Sequence, residues 1–190
     1  KELKRDILIK CYKSLAATEI NPVNLDFYFP TQHFNYRNKL EFSFGPLGSD
    51  KGESGGGNLF LAFHERGTHN KLVELNEGCA LGMEEMNKVA LEILAAINKS
   101  GITEWDLKTL TVRQSKFNNE VIAMLLVKNE SEKTLKAIEV IKDADVKNLV
   151  IGYSSHKSPV SNLDKVLFAK GVDYLTESVL GKELRYSMQS

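Results

Sequence analysis

Seven consecutive apolar residues, Val121–Val127, set the strongest constraint in this 190-residue sequence. A strand that alternates apolar and polar residues keeps one face in water. This run is apolar on both faces and predicts a strand in the middle of a sheet. It is far shorter than the ~20 residues a membrane helix needs. Just upstream, Leu110 and Val112 alternate with Thr111, Arg113 and Ser115, and Asn118-Asn119 separates the two runs. Together they predict a hairpin whose second strand is central.

The remaining periodicities switch between helix and strand. Leu3, Ile7, Leu8, Cys11 and Leu15 recur among Lys4, Arg5, Lys10 and Lys13, which predicts an amphipathic helix over residues 1–16, ended by Asn21-Pro22. An aromatic stretch from Leu25 to Pro30 predicts a first strand or an extended lead-in. Tyr36, Leu40, Phe42 and Phe44 then alternate with Arg37, Lys39, Glu41 and Ser43, giving a strand with one core face and one charged face. Six of the 13 glycines fall between Gly45 and Gly57, a loop. Leu59–His64 and Lys71–Leu75 read as strands about a turn at Glu65–Asn70. Met83, Met86, Ala90, Ile93, Leu94 and Ile97 lie at helical spacing, with Gly101 placed as a stop. Ser131 is placed to cap a helix carrying Leu135, Ile138 and Ile141 on one stripe. Leu149–Tyr153, Val166–Ala169, Tyr174–Val179 and Leu184–Ser187 are short strands. This order predicts an α+β fold, a largely antiparallel sheet with helices packed against it.

Composition and motifs exclude several chemistries. Lys plus Arg and Asp plus Glu are 25 each, so no global field draws the chain to nucleic acid or membrane, and such binding requires a local patch. The first six residues mix both charges and lack a signal peptide's apolar stretch, and Cys11 and Cys79 make no disulfide framework, so the expected compartment is the cytoplasm. The glycine-rich loop lacks a Gly-Lys-Ser/Thr ending and runs into Leu59-Phe60-Leu61 instead of a helix, so it is no phosphate loop. No Gly-x-Gly-x-x-Gly links a strand to a helix, so the doubly wound type of S-adenosylmethionine or dinucleotide site is missing. The two cysteines and the histidines at 33, 64, 69 and 156 have no spacing that closes a zinc site. There is neither a Gly-x-Ser-x-Gly elbow nor a Ser, His and Asp set.

What remains suits RNA. Arg37 and Lys39 share one strand's polar face, and His64, Arg66, His69 and Lys71 surround the adjacent turn, with Tyr36 and Phe63 near enough in sequence to stack a base. Phosphates would meet the Arg and Lys side chains. The alternative is that Arg37 and Lys39 are the solvated face of an ordinary strand and that Tyr36 and Phe63 are core.

The order of short motifs narrows the reading. Tyr36-Arg37-Asn38-Lys39, then Phe63-His64-Glu65-Arg66-Gly67-Thr68-His69, Leu72-Val73-Glu74-Leu75 and Cys79-Ala80-Leu81 resemble the central region of the S-adenosylmethionine-dependent RNA uracil-C5 methyltransferases, which form 5-methyluridine in tRNA and rRNA. Tyr174-Leu175-Thr176-Glu177, followed by Gly181-Lys182-Glu183-Leu184-Arg185-Tyr186 and Ser190, resembles the approach to that family's Ser-Phe-x-Gln-x-Asn segment, which opens its methyltransferase domain. The glycine loop 45–57 has no counterpart.

The resemblance implies that residues 1–190 are a central, RNA-positioning domain with an N-terminal helix 1–16, and that the catalytic domain, with its S-adenosylmethionine site, lies outside this chain. In that family a cysteine thiolate attacks C6 of the uracil, C5 takes the methyl group and a carboxylate removes the C5 proton. Those groups belong to the catalytic domain, so neither Cys11 nor Cys79 is expected to be the nucleophile, and the chain alone is expected to be inactive. The expected partner is tRNA or rRNA, with no membrane involved. Cys79 resembles the fourth ligand of the iron–sulfur cluster that some members carry; one thiolate cannot hold such a cluster, so none is expected in this chain. A stand-alone RNA-binding module and a protein-interaction domain are the alternative functions.

Overall fold

The computed structural model describes residues 2–16, 31–47, 58–68, 71–155 and 161–188. Their elements are α1 (Glu2–Ala16), β1 (Lys39–Pro46), β2 (Leu59–His64), β3 (Leu72–Glu74), α2 (Glu84–Ser100), β4 (Leu107–Gln114), β5 (Val121–Val127), α3 (Glu132–Ile141), β6 (Leu149–Tyr153), β7 (Lys165–Lys170), β8 (Tyr174–Val179) and β9 (Lys182–Ser187). The chain divides into two units, residues 1–33 and 34–190. In the first, α1 covers the expected helix, with Leu3, Ile7 and Leu8 exposed. The stretch expected to be extended from Leu25 to Pro30 lies outside the described residues.

In the second unit β1 to β7 form one sheet in the order β3-β2-β1-β4-β5-β6-β7, and β8 pairs with β9 as a separate hairpin. The pairs are antiparallel except β5 with β6, which run parallel across α3, so the expected α+β class holds with one βαβ unit inside it. An apolar run gives no indication of its neighbour's direction. The connecting helix does, because a parallel partner requires a crossover.

The central strand is β5. Ala123, Leu125 and Val127 enter the core formed with α2 and α3, while Ile122, Met124 and Leu126 enter a second core with Val150, Leu175 and Met188. Fully burying each large apolar side chain is worth roughly 1.5–3 kcal/mol. No other strand among the described residues is buried along its length on both sides to this extent.

The helices form as their spacing predicts. On α2, Met86, Ala90, Ile93 and Ile97 make one buried stripe, Glu84 and Glu85 sit at the positive N-terminal end, and Gly101 closes the helix with φ 71°. On α3, Ser131 Oγ accepts the Thr134 N–H at 3.2 Å as a cap. Its buried stripe is Thr134, Ala137, Ile138 and Ile141, so Leu135, expected on that stripe, is a correction. One residue beyond Thr134 turns it about 100° away, and it is exposed.

β1 begins at Lys39, later than the alternation predicts, and continues through Gly45 and Pro46, which the glycine count assigns to the loop. Gly45 is required inside the strand because a Cβ there would come within 2.4 Å of the Phe60 ring of its register partner. The first half of β1, Lys39–Phe42, pairs with β4, and the second, Ser43–Pro46, pairs with β2.

Leu125→Ala should cost about 2–5 kcal/mol in urea denaturation, because it opens a cavity beside Leu110 and Ile151. Leu180, 98% exposed with φ 52°, is the contrast: Leu180→Asn should change stability by no more than about 0.5 kcal/mol, since Asn tolerates that backbone. A loss below about 1 kcal/mol at Leu125 would remove β5 from its central role.

Candidate nucleic-acid interface

The strand directions bring cationic residues to one end of the sheet. β1, β3, β5 and β6 start there, and β2, β4 and β7 finish there. That end carries Arg37 and Lys39 at the start of β1, His64 and Arg66 at and beyond the end of β2, and Lys71 just before β3. All five are exposed. Arg37 has a fixed backbone: its N–H donates to Leu81 O at 2.8 Å and its carbonyl accepts from Met83 N at 3.2 Å. Among the described residues no carboxylate pairs with Arg37, Lys39 or Arg66. Lys71 Nζ lies 3.5 Å from Glu65, a solvent-exposed pair worth little. The His64 ring nitrogen Nε2 is 3.2 Å from Ser43 Oγ. His69, also expected at this site, lies outside the described residues.

Two readings of the aromatics separate. Phe63 stacks on Phe42 of the neighbouring strand β1, with centroids 5.4 Å apart and rings parallel to 1°, so it packs against the core and is not the expected base platform. Tyr36 is exposed.

The structure adds Arg113, which sequence reasoning missed. It is the register partner of Lys39, so two cations sit side by side across β1 and β4. The signal was its place in the β4 alternation, two residues after Thr111. Arg113 also reaches the hairpin, donating through Nη1 to Ser187 O at 3.0 Å and lying 5.3 Å over the Tyr186 ring. Burial first, then the neighbouring Glu177, raises the Tyr186 hydroxyl pKa.

Cys79 belongs to the main core, with its N–H donating to Asn87 Oδ1 at 2.9 Å. Among the described residues no group of three His, Cys, Asp or Glu side chains is placed to hold a metal ion. With two cysteines in all, the residues of this chain do not by themselves fit a four-thiolate iron–sulfur cluster. No helix among the described residues is long and apolar enough to cross a membrane.

No protein-family model matches the chain. Curated relatives do: an uncharacterized RNA methyltransferase of Clostridium tetani is 25% identical across 97% of this chain, and one of Leptospira interrogans is 25% identical across 98%. This chain is related to RNA methyltransferases. It spans about two fifths of those relatives' length, 41% and 40%. Its fold matches part of the Pyrococcus abyssi tRNA (uracil-54, C5)-methyltransferase, solved in complex with S-adenosyl-L-homocysteine, with TM-score 0.68 at 18% identity, covering 100% of this chain and 43% of that one.

That cofactor class tests the one strand-to-helix corner of the βαβ unit, residues 128–131 between β5 and α3. The corner contains no glycine, and its polar groups bond one another. Asn129 Nδ2 donates to Asp106 Oδ1 at 3.1 Å, Thr134 Oγ1 donates to Asn129 Oδ1 at 2.6 Å, and Lys133 Nζ reaches Asp106 at 3.1 Å. The residues of this corner do not fit S-adenosylmethionine.

The same corner is a stability element. Burial alone would raise the Asp106 carboxyl, but hydrogen bonds from Asn129, Thr103 and Lys133 outweigh it and hold the pKa below the usual carboxylate range. A depressed folded pKa contributes stability above the unfolded value of about 3.9, and that stability is lost as pH falls through the folded value. Asp106→Asn should therefore cost about 1–3 kcal/mol at neutral pH, with the gap from wild type narrowing below about pH 4. Urea midpoints across that range check it, and a gap independent of pH would rule out the carboxylate as the cause.

Proposed function

We propose that this chain is the RNA-holding segment of an S-adenosylmethionine-dependent RNA uracil-C5 methyltransferase acting in the cytoplasm on tRNA or rRNA. Arg37, Lys39, His64, Arg66, His69 and Lys71 make its contact surface. The observation that carries this reading is the collection of exposed cations at one end of the sheet, of which Arg37, Lys39 and Arg66 have no carboxylate partner among the described residues, in a chain of zero net charge. Such a patch attracts phosphates by counterion release, and its fixed backbone at Arg37 presents charge in a set geometry. The likeness to RNA methyltransferases and the motif order of the uracil-C5 enzymes support the choice of RNA over another polyanion.

Replacing Arg37 and Lys39 by alanine should weaken binding of a tRNA transcript and lower the slope of log affinity against log salt by about 1.4–1.8, while the urea midpoint stays put. Unchanged affinity and slope would sink the assignment. The methyl-transfer chemistry is assigned to residues outside this chain, so calorimetric titration of the chain with S-adenosylmethionine should be flat. Saturable binding would overturn that division.

A further inference from the structure

The β4–β5 turn, which follows the strand end where Arg113 pairs with Lys39, displays an aromatic ring. Phe117 is 52% exposed in this turn, whose backbone is anchored by hydrogen bonds. Ser115, fully buried, donates from Oγ to Thr176 O of β8 at 2.6 Å and accepts from the N–H groups of Phe117 at 3.1 Å and Asn118 at 3.3 Å. The Lys116 N–H donates to Glu177 Oε1 at 2.8 Å, and Asn119 turns the chain with φ 58°.

We propose that Phe117 is a stacking platform for an unpaired RNA base whose flanking phosphates meet Lys116, Arg113 and Lys39; this rests on the RNA-holding reading above. The charge around the ring selects the partner. Lys39 and Arg113 are register neighbours, and Gln114 N donates to Asn38 O at 3.0 Å, which keeps the start of β1 against the end of β4, three residues before Phe117. The acids of the turn are already engaged, Glu120 by Lys147 at 3.0 Å and Glu177 by the Lys116 N–H. An apolar protein surface laid on Phe117 would desolvate the exposed Lys39 and Lys116 without compensation. A splayed nucleotide offers a flat π face and a phosphate together. Anchoring the turn on β8 also reduces the ordering cost of binding.

The test uses the whole chain and two probes, an RNA hairpin with 2-aminopurine in its loop and a blunt RNA duplex of equal length. Phe117→Ala should weaken hairpin binding by about five- to fiftyfold and remove the fluorescence change on binding. It should leave duplex affinity, salt slope and urea midpoint as in wild type, and Phe117→Tyr should restore hairpin binding. If the hairpin is bound equally well by Phe117→Ala, or if hairpin and duplex weaken alike, the stacking role falls while the RNA-holding reading stands. If the wild-type chain binds neither RNA, both fall.

Discussion

Burial of β5 on both faces is the constraint from which the rest of the architecture follows. A strand with Ala123, Leu125 and Val127 on one side and Ile122, Met124 and Leu126 on the other needs two covers. The α2–α3 layer is one, and the β8–β9 hairpin is the other, seated through Leu175 and Met188. The hairpin is thereby tied to the sheet, and its polar anchors, Thr176 to Ser115 and Ser187 to Arg113, fall beside the cationic end. Hydrophobic burial decides where the hairpin sits. Those hydrogen bonds then decide which functional groups it supports.

The two ends of the sheet are built differently. At the end where β4 begins and β5 finishes, Asp106, Asn129, Thr134 and Lys133 satisfy one another and leave little polar capacity for a ligand. At the opposite end, Arg37, Lys39 and Arg66 project without carboxylate partners among the described residues. Internally neutralised groups stabilise a fold, whereas un-neutralised ones raise its energy slightly and remain open to an outside anion. Lys39 is such a group, placed side by side with Arg113 within the sheet.

Local periodicity was enough for most elements. α2 was legible because its apolar stripe and Gly101 agree, and β5 because seven apolar residues admit few alternatives. Failures arose where a distant partner decides. Leu135 lies just off the α3 stripe, and only the position of the sheet shows which side is buried. Phe63 looked available for a base until Phe42 was found opposite it across 21 residues of sequence. Gly45 looked like loop because the need for glycine comes from Phe60 on the neighbouring strand. At the site, Arg37, Lys39, His64, Arg66 and Lys71 were legible as one neighbourhood because a hairpin joins most of them. Arg113 was not, since its adjacency to Lys39 depends on pairing between segments about 70 residues apart.

The divided pairing of β1 carries a consequence for the order of assembly. β4 and β5 are joined by a short turn, and β6 follows after one helix, so this half of the sheet closes through modest loops. β1 meets β4 only when the chain between them, including the glycine-rich stretch and all of α2, has been looped out. Loop-closure entropy therefore delays that seam relative to its neighbours. The cationic edge straddles this late-closing join, with Lys39 on one side and Arg113 on the other, so the surface is completed only when the two halves of the sheet unite.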